Sequence, residues 1–390
     1  MFRIRTMNKI SPFGLELFPR DRYEVAADLP NPDALLVRSA DLHGLEIPET
    51  VKAIGRAGAG VNNIPLSACT DRGIVVFNTP GGNANAVKEL VIAALLLSSR
   101  RIVDGLRWTT TLADKADEVP ELVEKGKSKF EGPEIKGKTL GILGLGAIGV
   151  MVANDAIALG MDVIGYDPYI SVDAAWSLSR QVKRAESLEE LLRKADYVTL
   201  HVPLVEETKG LIDAGKIKMM KKGARIVNLA RGGLVNEADL IAALKDERLA
   251  AYVTDFPTAE LLACGKATCI PHLGASTPEA EDNCAVMVVR QLMDFLESGN
   301  IKNAVNFPHC RLERRAPHRL LVANRNIPNM VGQITTILAG AGVNITDLIN
   351  HHRDEYAYNI IDSEQAIPQA VLQGIGAVNG IIRVRTIDRP

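Results

Sequence analysis

Three things are scarce in this sequence. Charge of one sign is the first: 45 lysines and arginines stand against 47 aspartates and glutamates, a formal net charge of −2. Neither nucleic acid nor a membrane surface is therefore expected as a partner. Cysteine is the second, with five residues, an odd number, and no CxxC. A disulfide framework and a structural zinc site are both disfavoured, no metal is expected, and free thiols suit a cytoplasmic location. Long apolar runs are the third. The opening Met1-Phe2-Arg3-Ile4-Arg5 lacks the apolar core of a signal peptide. The longest uncharged stretch, Thr139 to Asn154, is too short to span a bilayer and is broken by four glycines. Internal repeats and low-complexity tracts are absent as well.

What is present is a globular composition, 47% apolar and 24% charged over 390 residues, enough for two or three domains. Phe2–Met7, Ala34–Val37, Ala53–Arg56 and Ile74–Phe77 read as strands separated by Gly, Pro and Asp punctuation, the rhythm of an α/β fold with a parallel sheet. Ala84–Arg101 reads as one long apolar helix, and 114–138 as surface helix and linker. A second α/β series has strands at Thr139–Leu143, Asp162–Tyr166, Tyr197–His201, Arg225–Asn228, Tyr252–Asp255 and Ala267–Ile270. Pro278–Gly299 is a further helix. Phe307–Pro317 reads as a basic linker with a proline near each end. The remaining residues follow a β, α, β, β, α, β order, which is ferredoxin-like.

The interrupted uncharged stretch is a strand running into Gly144-Leu145-Gly146-Ala147-Ile148-Gly149. GxGxxG alone is weak evidence. Here a strand precedes it, a helix follows, and a second strand ends at Asp167, 23 residues after Gly144. Gly144 allows the tight turn, Gly146 lets a pyrophosphate approach the backbone, and Gly149 lets helix and strand pack closely. The N–H groups around Ala147 and Ile148 open the helix toward phosphate. Asp167 would take ribose hydroxyls and repel a 2′-phosphate, so NAD is expected over NADP.

Three chemically active residues follow later strand-like runs: Arg231 before Gly232-Gly233, Glu260 after Asp255-Phe256, and His272 after Pro271. A cation, a carboxylate and an imidazole suit reversible oxidation of a 2-hydroxy acid. The cation binds the substrate carboxylate and polarises the C2 oxygen. The imidazole moves the hydroxyl proton, and the carboxylate orients it and raises its pKa.

Together the glycine motif, Asp167-Pro168, His201-Val202-Pro203-Leu204 with Thr208, Ala230-Arg231-Gly232-Gly233 and Pro271-His272 resemble the D-isomer-specific 2-hydroxyacid dehydrogenase family. Val37-Arg38-Ser39, Arg56-Ala57-Gly58-Ala59-Gly60-Val61 and Asn78-Thr79-Pro80 resemble its members that oxidise 3-phosphoglycerate. The resemblance implies a Rossmann-type NAD domain, 93–275, inserted into a flavodoxin-like substrate domain of residues 1–92 and 276–310. The C-terminal residues 318–390 resemble an ACT regulatory domain.

By the same resemblance Arg231 binds substrate, His272 is the acid/base and Glu260 is its partner. Asp255, His201, Val202, Pro203, Thr208, Ala230 and Gly274 line the cofactor cleft. Arg38, Ser39, Arg56, Gly58, Ala59 and Gly60 join Arg231 and His272 around the substrate. Counting from Asp255 puts Glu260 in the carboxylate slot, whereas anchoring on Phe256 puts Ala259 there. Asn326 and Asn344 match asparagines that hold an L-serine effector, though Asn324 stands where a histidine is usual and Asn329 where a glycine is. Pairing of ACT sheets implies a homo-oligomer, dimer or tetramer. The expected activity is NAD-dependent oxidation of 3-phosphoglycerate at the entry to serine biosynthesis. A hydroxypyruvate or glyoxylate reductase and a non-catalytic NAD(H) sensor are the alternatives.

Overall fold

The structure is a computed structural model that describes residues 1–388. It divides into two compact units. One is Met1–Asn83 with everything from Pro278 onward, and the other is Ala84–Thr277. The second unit contains the expected residues 93–275 and begins with the helix Ala84–Arg100. The residues from 318 onward belong to the same compact unit as the N-terminus. Residues 389 and 390 of the expected C-terminal domain lie outside the described residues.

The inner unit carries a seven-stranded sheet. Its order is Ala267–Cys269, Leu249–Thr254, Ala224–Asn228, Tyr197–Leu200, Thr139–Leu143, Asp162–Tyr166, Lys183–Arg184, with every pair parallel. The chain winds outward from Thr139–Leu143 in one direction, then returns to that strand's other side at Tyr197–Leu200. Such a reversal opens a crevice at the carboxyl ends of the two strands. All four residues of Tyr197–Leu200 are buried, because helices cover both faces of the sheet. On one face Val87, Val91 and Leu95 pack with Leu140, Ile142 and Val150. On the other Leu191, Ile217, Leu240 and Leu244 pack with Val198 and Ile226. The helix expected to run to Arg101 stops one residue earlier. Arg101 has φ +46° and starts a second helix, Ile102–Thr110.

The outer unit holds a five-stranded parallel sheet in the order Tyr23–Ala26, Phe2–Thr6, Ala34–Val37, Ala53–Arg56, Val75–Phe77, the flavodoxin-like order. The strand Tyr23–Ala26 carries no strong alternation and was not expected from the sequence. Helix Pro278–Ser298 crosses this sheet at Gly55, where a Cβ would stand 2.6 Å from Val288 Cγ2.

A four-stranded antiparallel sheet follows, ordered Ile345–Arg353, Tyr356–Ser363, His318–Arg325, Ile381–Asp388. Leu320 and Val322 face its helices Met330–Gly340 and Gln369–Gly376 through Ile334, Leu338 and Ile375. The alternate residues, Leu321, Ala323, Tyr358 and Ile360, join the core that contains Phe77, Phe295 and Leu296. The second face of the sheet is therefore covered by the same chain. The segment 307–317, expected as a linker, is anchored: Phe307 and Cys310 are fully buried, and Cys310 bridges to Ile301 in both directions. Proline and charge suggested a spacer; the two apolar residues between them fix it.

Candidate active site

In the inner unit Gly144 has φ +93°, and a Cβ there would stand 2.7 Å from His201 O. A Cβ on Gly149 would stand 2.0 Å from Gly144 O. Both positions demand glycine for the reasons the motif suggested. Gly146 differs: nothing lies within 4 Å of its built Cβ. It is the N-cap of helix Ala147–Ala158 and brings no side-chain cap. The helix therefore begins with uncapped N–H groups beside open space, which fits a dinucleotide pyrophosphate. Asp167 closes the turn, accepting from Leu145 N and Tyr169 N, both at 2.8 Å.

His201 follows the strand Tyr197–Leu200 and hydrogen-bonds Thr199 Oγ1 at 3.0 Å. Burial lowers its pKa to about 4, so the ring is neutral near pH 7. Val202 and Pro203 follow it. Thr208 is a staple of this loop: its hydroxyl donates to Pro203 O at 2.6 Å and accepts from Val205 N at 2.8 Å.

Arg231 sits on the loop after Ala224–Asn228. Asn228, nearly fully buried, holds that loop at both ends, accepting from Ala230 N and donating to Arg231 O. The exposed Arg231 guanidinium donates to Ala230 O at 2.7 Å. Asn228 was missed in the sequence. Its signal was a polar residue at the end of an otherwise apolar central strand.

Asp255 ends the strand Leu249–Thr254. It is 1% exposed, and neither carboxylate oxygen has a hydrogen-bond partner. Burial pushes its pKa up, while the charges of His272 and Arg231 pull it down. Gly274 lies beside it; a Cβ there would be 3.7 Å from Asp255 Oδ2. The His272 ring packs 4.8 Å from the Phe256 ring. Asp255, Arg231, His272 and Gly274 are thus brought together. Glu260 is not joined to them. It is exposed in the first turn of the short helix Ala259–Cys264, and it makes no hydrogen bond or ion pair with His272 or any other described residue.

The outer unit assembles a second cationic cluster. Arg38 and Arg56 end the neighbouring parallel strands Ala34–Val37 and Ala53–Arg56, and Arg56 Nε donates to Arg38 O at 3.1 Å. Arg38 is also ion-paired, at 2.5 Å, with Glu281 of helix Pro278–Ser298. Asn8 orders the turn beyond it, accepting from Arg38 N and donating to Ser39 Oγ. A Cβ on Gly58 would stand 1.7 Å from Arg56 Nη1, so the guanidinium lies across bare backbone. Thr79 N and Asn78 Nδ2 donate to Gly58 O and Ala59 O, which fixes the Gly58-Ala59-Gly60 loop. Asn8 and Glu281 had no local signal; each acts on residues far along the chain.

In the C-terminal sheet Asn326 Nδ2 donates to Asp354 O at 3.2 Å. The Asn344 backbone N–H donates to Gln365 Oε1 at 2.9 Å. Asn324, read as a replaced effector contact, is buried and bonded inside the sheet to Asn359 Nδ2 and Arg325 O. Asn329 takes φ +65°, a conformation that asparagine tolerates better than other non-glycine residues. No group of metal-binding side chains and no helix long and apolar enough to cross a membrane occurs among the described residues.

Residues 92–274 match the model of the D-isomer specific 2-hydroxyacid dehydrogenase NAD binding domain. D-3-phosphoglycerate dehydrogenase of Methanocaldococcus jannaschii is 36% identical over 338 residues, 84% of this chain and 61% of that protein. The enzyme of the same name from Archaeoglobus fulgidus is 38% identical over 300 residues, 74% of this chain and 54% of that one. The chain thus spans between half and two thirds of the length of these relatives. An NAD⁺-bound 3-phosphoglycerate dehydrogenase from Entamoeba histolytica superposes with a TM-score of 0.60 at 29% identity, over 78% of this chain and 98% of that one. Residues 92–274, which hold the glycine turn and the uncapped helix, are thus similar to the NAD binding domain of the D-isomer-specific 2-hydroxyacid dehydrogenases.

Proposed function

We propose that the chain is an NAD-dependent dehydrogenase that oxidises 3-phospho-D-glycerate to 3-phosphohydroxypyruvate, the entry to serine biosynthesis. The observation that carries the proposal is the convergence of Arg231, His272 and buried Asp255 on the unit that holds the glycine turn. Gly144, Gly146 and Gly149, with the N–H groups of Ala147 and Ile148, would hold the pyrophosphate, and Asp167 the adenosine ribose. NAD, when bound, supplies the hydride acceptor. Arg231 binds the substrate carboxylate and draws electron density from the C2 oxygen. His272 takes the hydroxyl proton. The negative charge of Asp255 favours the protonated ring that results. Glu260, the partner implied by resemblance, has no contact that would orient the ring.

Arg38 and Arg56 are assigned to the substrate phosphate, with the Gly58-Ala59-Gly60 backbone beside them. The Arg38–Glu281 ion pair supports a second reading, since a neutralised Arg38 suits an unphosphorylated substrate such as hydroxypyruvate or glyoxylate. L-serine at Asn326 and Asn344, which stand at opposite ends of the sheet in one chain and could meet only across two copies, and association into a dimer or tetramer, complete the proposal.

Steady-state kinetics test the catalytic assignment. His272→Ala should lower kcat by about 100- to 10,000-fold with little change in KM. Arg231→Ala should lower kcat and raise KM together. Asp255→Asn should lower kcat more than Glu260→Ala does. Near-normal kcat in His272→Ala removes the residue from the reaction; a larger loss in Glu260→Ala than in Asp255→Asn restores Glu260 as the partner.

A further inference from the structure

Helix Pro278–Ser298 and the segment after it line an open cavity of about 540 Å³, within the size range of small-molecule sites. Arg38, Arg56 and the Gly58 loop do not line it. Its wall has two characters. Val286 and Met287 provide an apolar side; Arg290, Lys302 and Arg311 provide three cations. None of the three has an ion pair or side-chain hydrogen bond among the described residues. The single carboxylate on the wall, Asp294, already accepts from Asn300 Nδ2 at 2.9 Å. Three cations thus face one carboxylate, and the cavity keeps a cationic excess.

A second observation is independent of charge. Gln291 lines the same cavity, is 7% exposed, and neither its Oε1 nor its Nε2 has a hydrogen-bond partner. A buried amide left in this state costs about 1–3 kcal/mol for each unmet group, and leucine at the same helical position would avoid that cost. Such a residue is explained by a polar group that arrives from outside the chain. Nε2 can donate to an acid oxygen, and Oε1 can accept from a hydroxyl or amine.

We propose that this cavity binds a small organic anion: a carboxylate or phosphate monoester with an apolar body. The acid group meets Arg290, Lys302 and Arg311, the body lies on Val286 and Met287, and Gln291 reads a polar atom between them. The apolar side distinguishes the ligand from inorganic phosphate, and the three cations distinguish it from a neutral hydrophobe. Occupancy would also be felt along the helix, whose first residue, Pro278, lies six positions after His272 in the chain.

Titration calorimetry on the full chain tests this, with phenyl phosphate and phenylacetate as probes and inorganic phosphate as the control without an apolar body. At least one aromatic probe should bind with millimolar or better affinity, more tightly than phosphate, and which one does so identifies the acid group. Arg290→Ala/Arg311→Ala should weaken that binding about tenfold or more, the worth of roughly one good charge contact. Both arginines are exposed, so the variant should keep its melting temperature. Gln291→Leu should weaken binding while leaving the melting temperature equal or higher, because it removes the unmet amide. Arg38→Ala should leave the binding unchanged. Superimposable titrations of the double-arginine variant and the unsubstituted protein would overturn the proposal. So would loss of all probe binding in Arg38→Ala, or a change of oligomeric state in the double variant without any change in probe affinity.

Discussion

His201 shows how one residue ties the cofactor crevice to stability. Packing holds its imidazole neutral, with a pKa of about 4, while the unfolded chain titrates it near 6.5. Between those values the unfolded state binds more protons than the folded one, so stability falls as pH drops through that window and the loss levels off below about 4. The penalty is on the order of 2–3 kcal/mol. Thermal melts of the protein and of His201→Asn from pH 7 to pH 4 should show a steeper decline for the unsubstituted chain; parallel declines would mean that the ring is not held neutral. The same scale shows what sequence could deliver. Gly144 and Gly149 were legible because their requirement is local, a positive φ and a close approach. The difference between Asp255 and Glu260 was not: both are acidic and five residues apart, and only packing buries the one and exposes the other.

Elements were legible where apolar periodicity decided them. Every strand of the central parallel sheet from Thr139 to Cys269 was recognised except Lys183–Arg184, two exposed charged residues that pair only because Ile164 and Gly165 lie beside them. The β, α, β, β, α, β order after residue 318 was recognised too, but not what covers its second face. Arg319 explains why. A charged residue in the strand His318–Arg325 reads as solvent-facing, yet it is fully buried and bidentate with Asp362, at 2.6 and 2.8 Å. Its Nη1 donates to Ser298 O and Leu312 O. With Arg385 Nη2 on Phe295 O and Tyr358 Oη on Gly299 O, it satisfies the carbonyls at the end of helix Pro278–Ser298. Breaking such a pair leaves a buried charge alone. Asp362→Ala should cost about 3–5 kcal/mol in denaturant unfolding, and Arg319→Met/Asp362→Leu less than that. A double variant as damaged as the single one would show that the cap on the helix, and not the ion pair, carries the stability.

At the scale of the whole molecule, the C-terminal sheet has helices on one face and the chain's own first core on the other. Its two edge strands are Ile345–Arg353, whose last four residues are all exposed, and Ile381–Asp388. An uncovered edge invites a second copy; Asn344, proposed for L-serine, stands at the opposite end of that strand from the exposed residues, and its side chain has no hydrogen bond among the described residues. Calorimetry should give a heat of L-serine binding that is lost in Asn344→Ala, with light scattering showing an even number of chains. A monomer with no serine heat at millimolar concentration would leave the sheet as a structural cover for helix Pro278–Ser298.

A substrate phosphate is proposed for Arg38 and Arg56, the paired arginines after two neighbouring strands. The most direct measurement is NADH oxidation with 3-phosphohydroxypyruvate, hydroxypyruvate and glyoxylate side by side, on the unsubstituted chain and on Arg56→Ala. The expected result is the highest kcat/KM for the phosphorylated substrate, and a loss of about tenfold or more in Arg56→Ala for that substrate alone. Equal or better turnover of hydroxypyruvate or glyoxylate, with Arg56→Ala affecting all three alike, would contradict it.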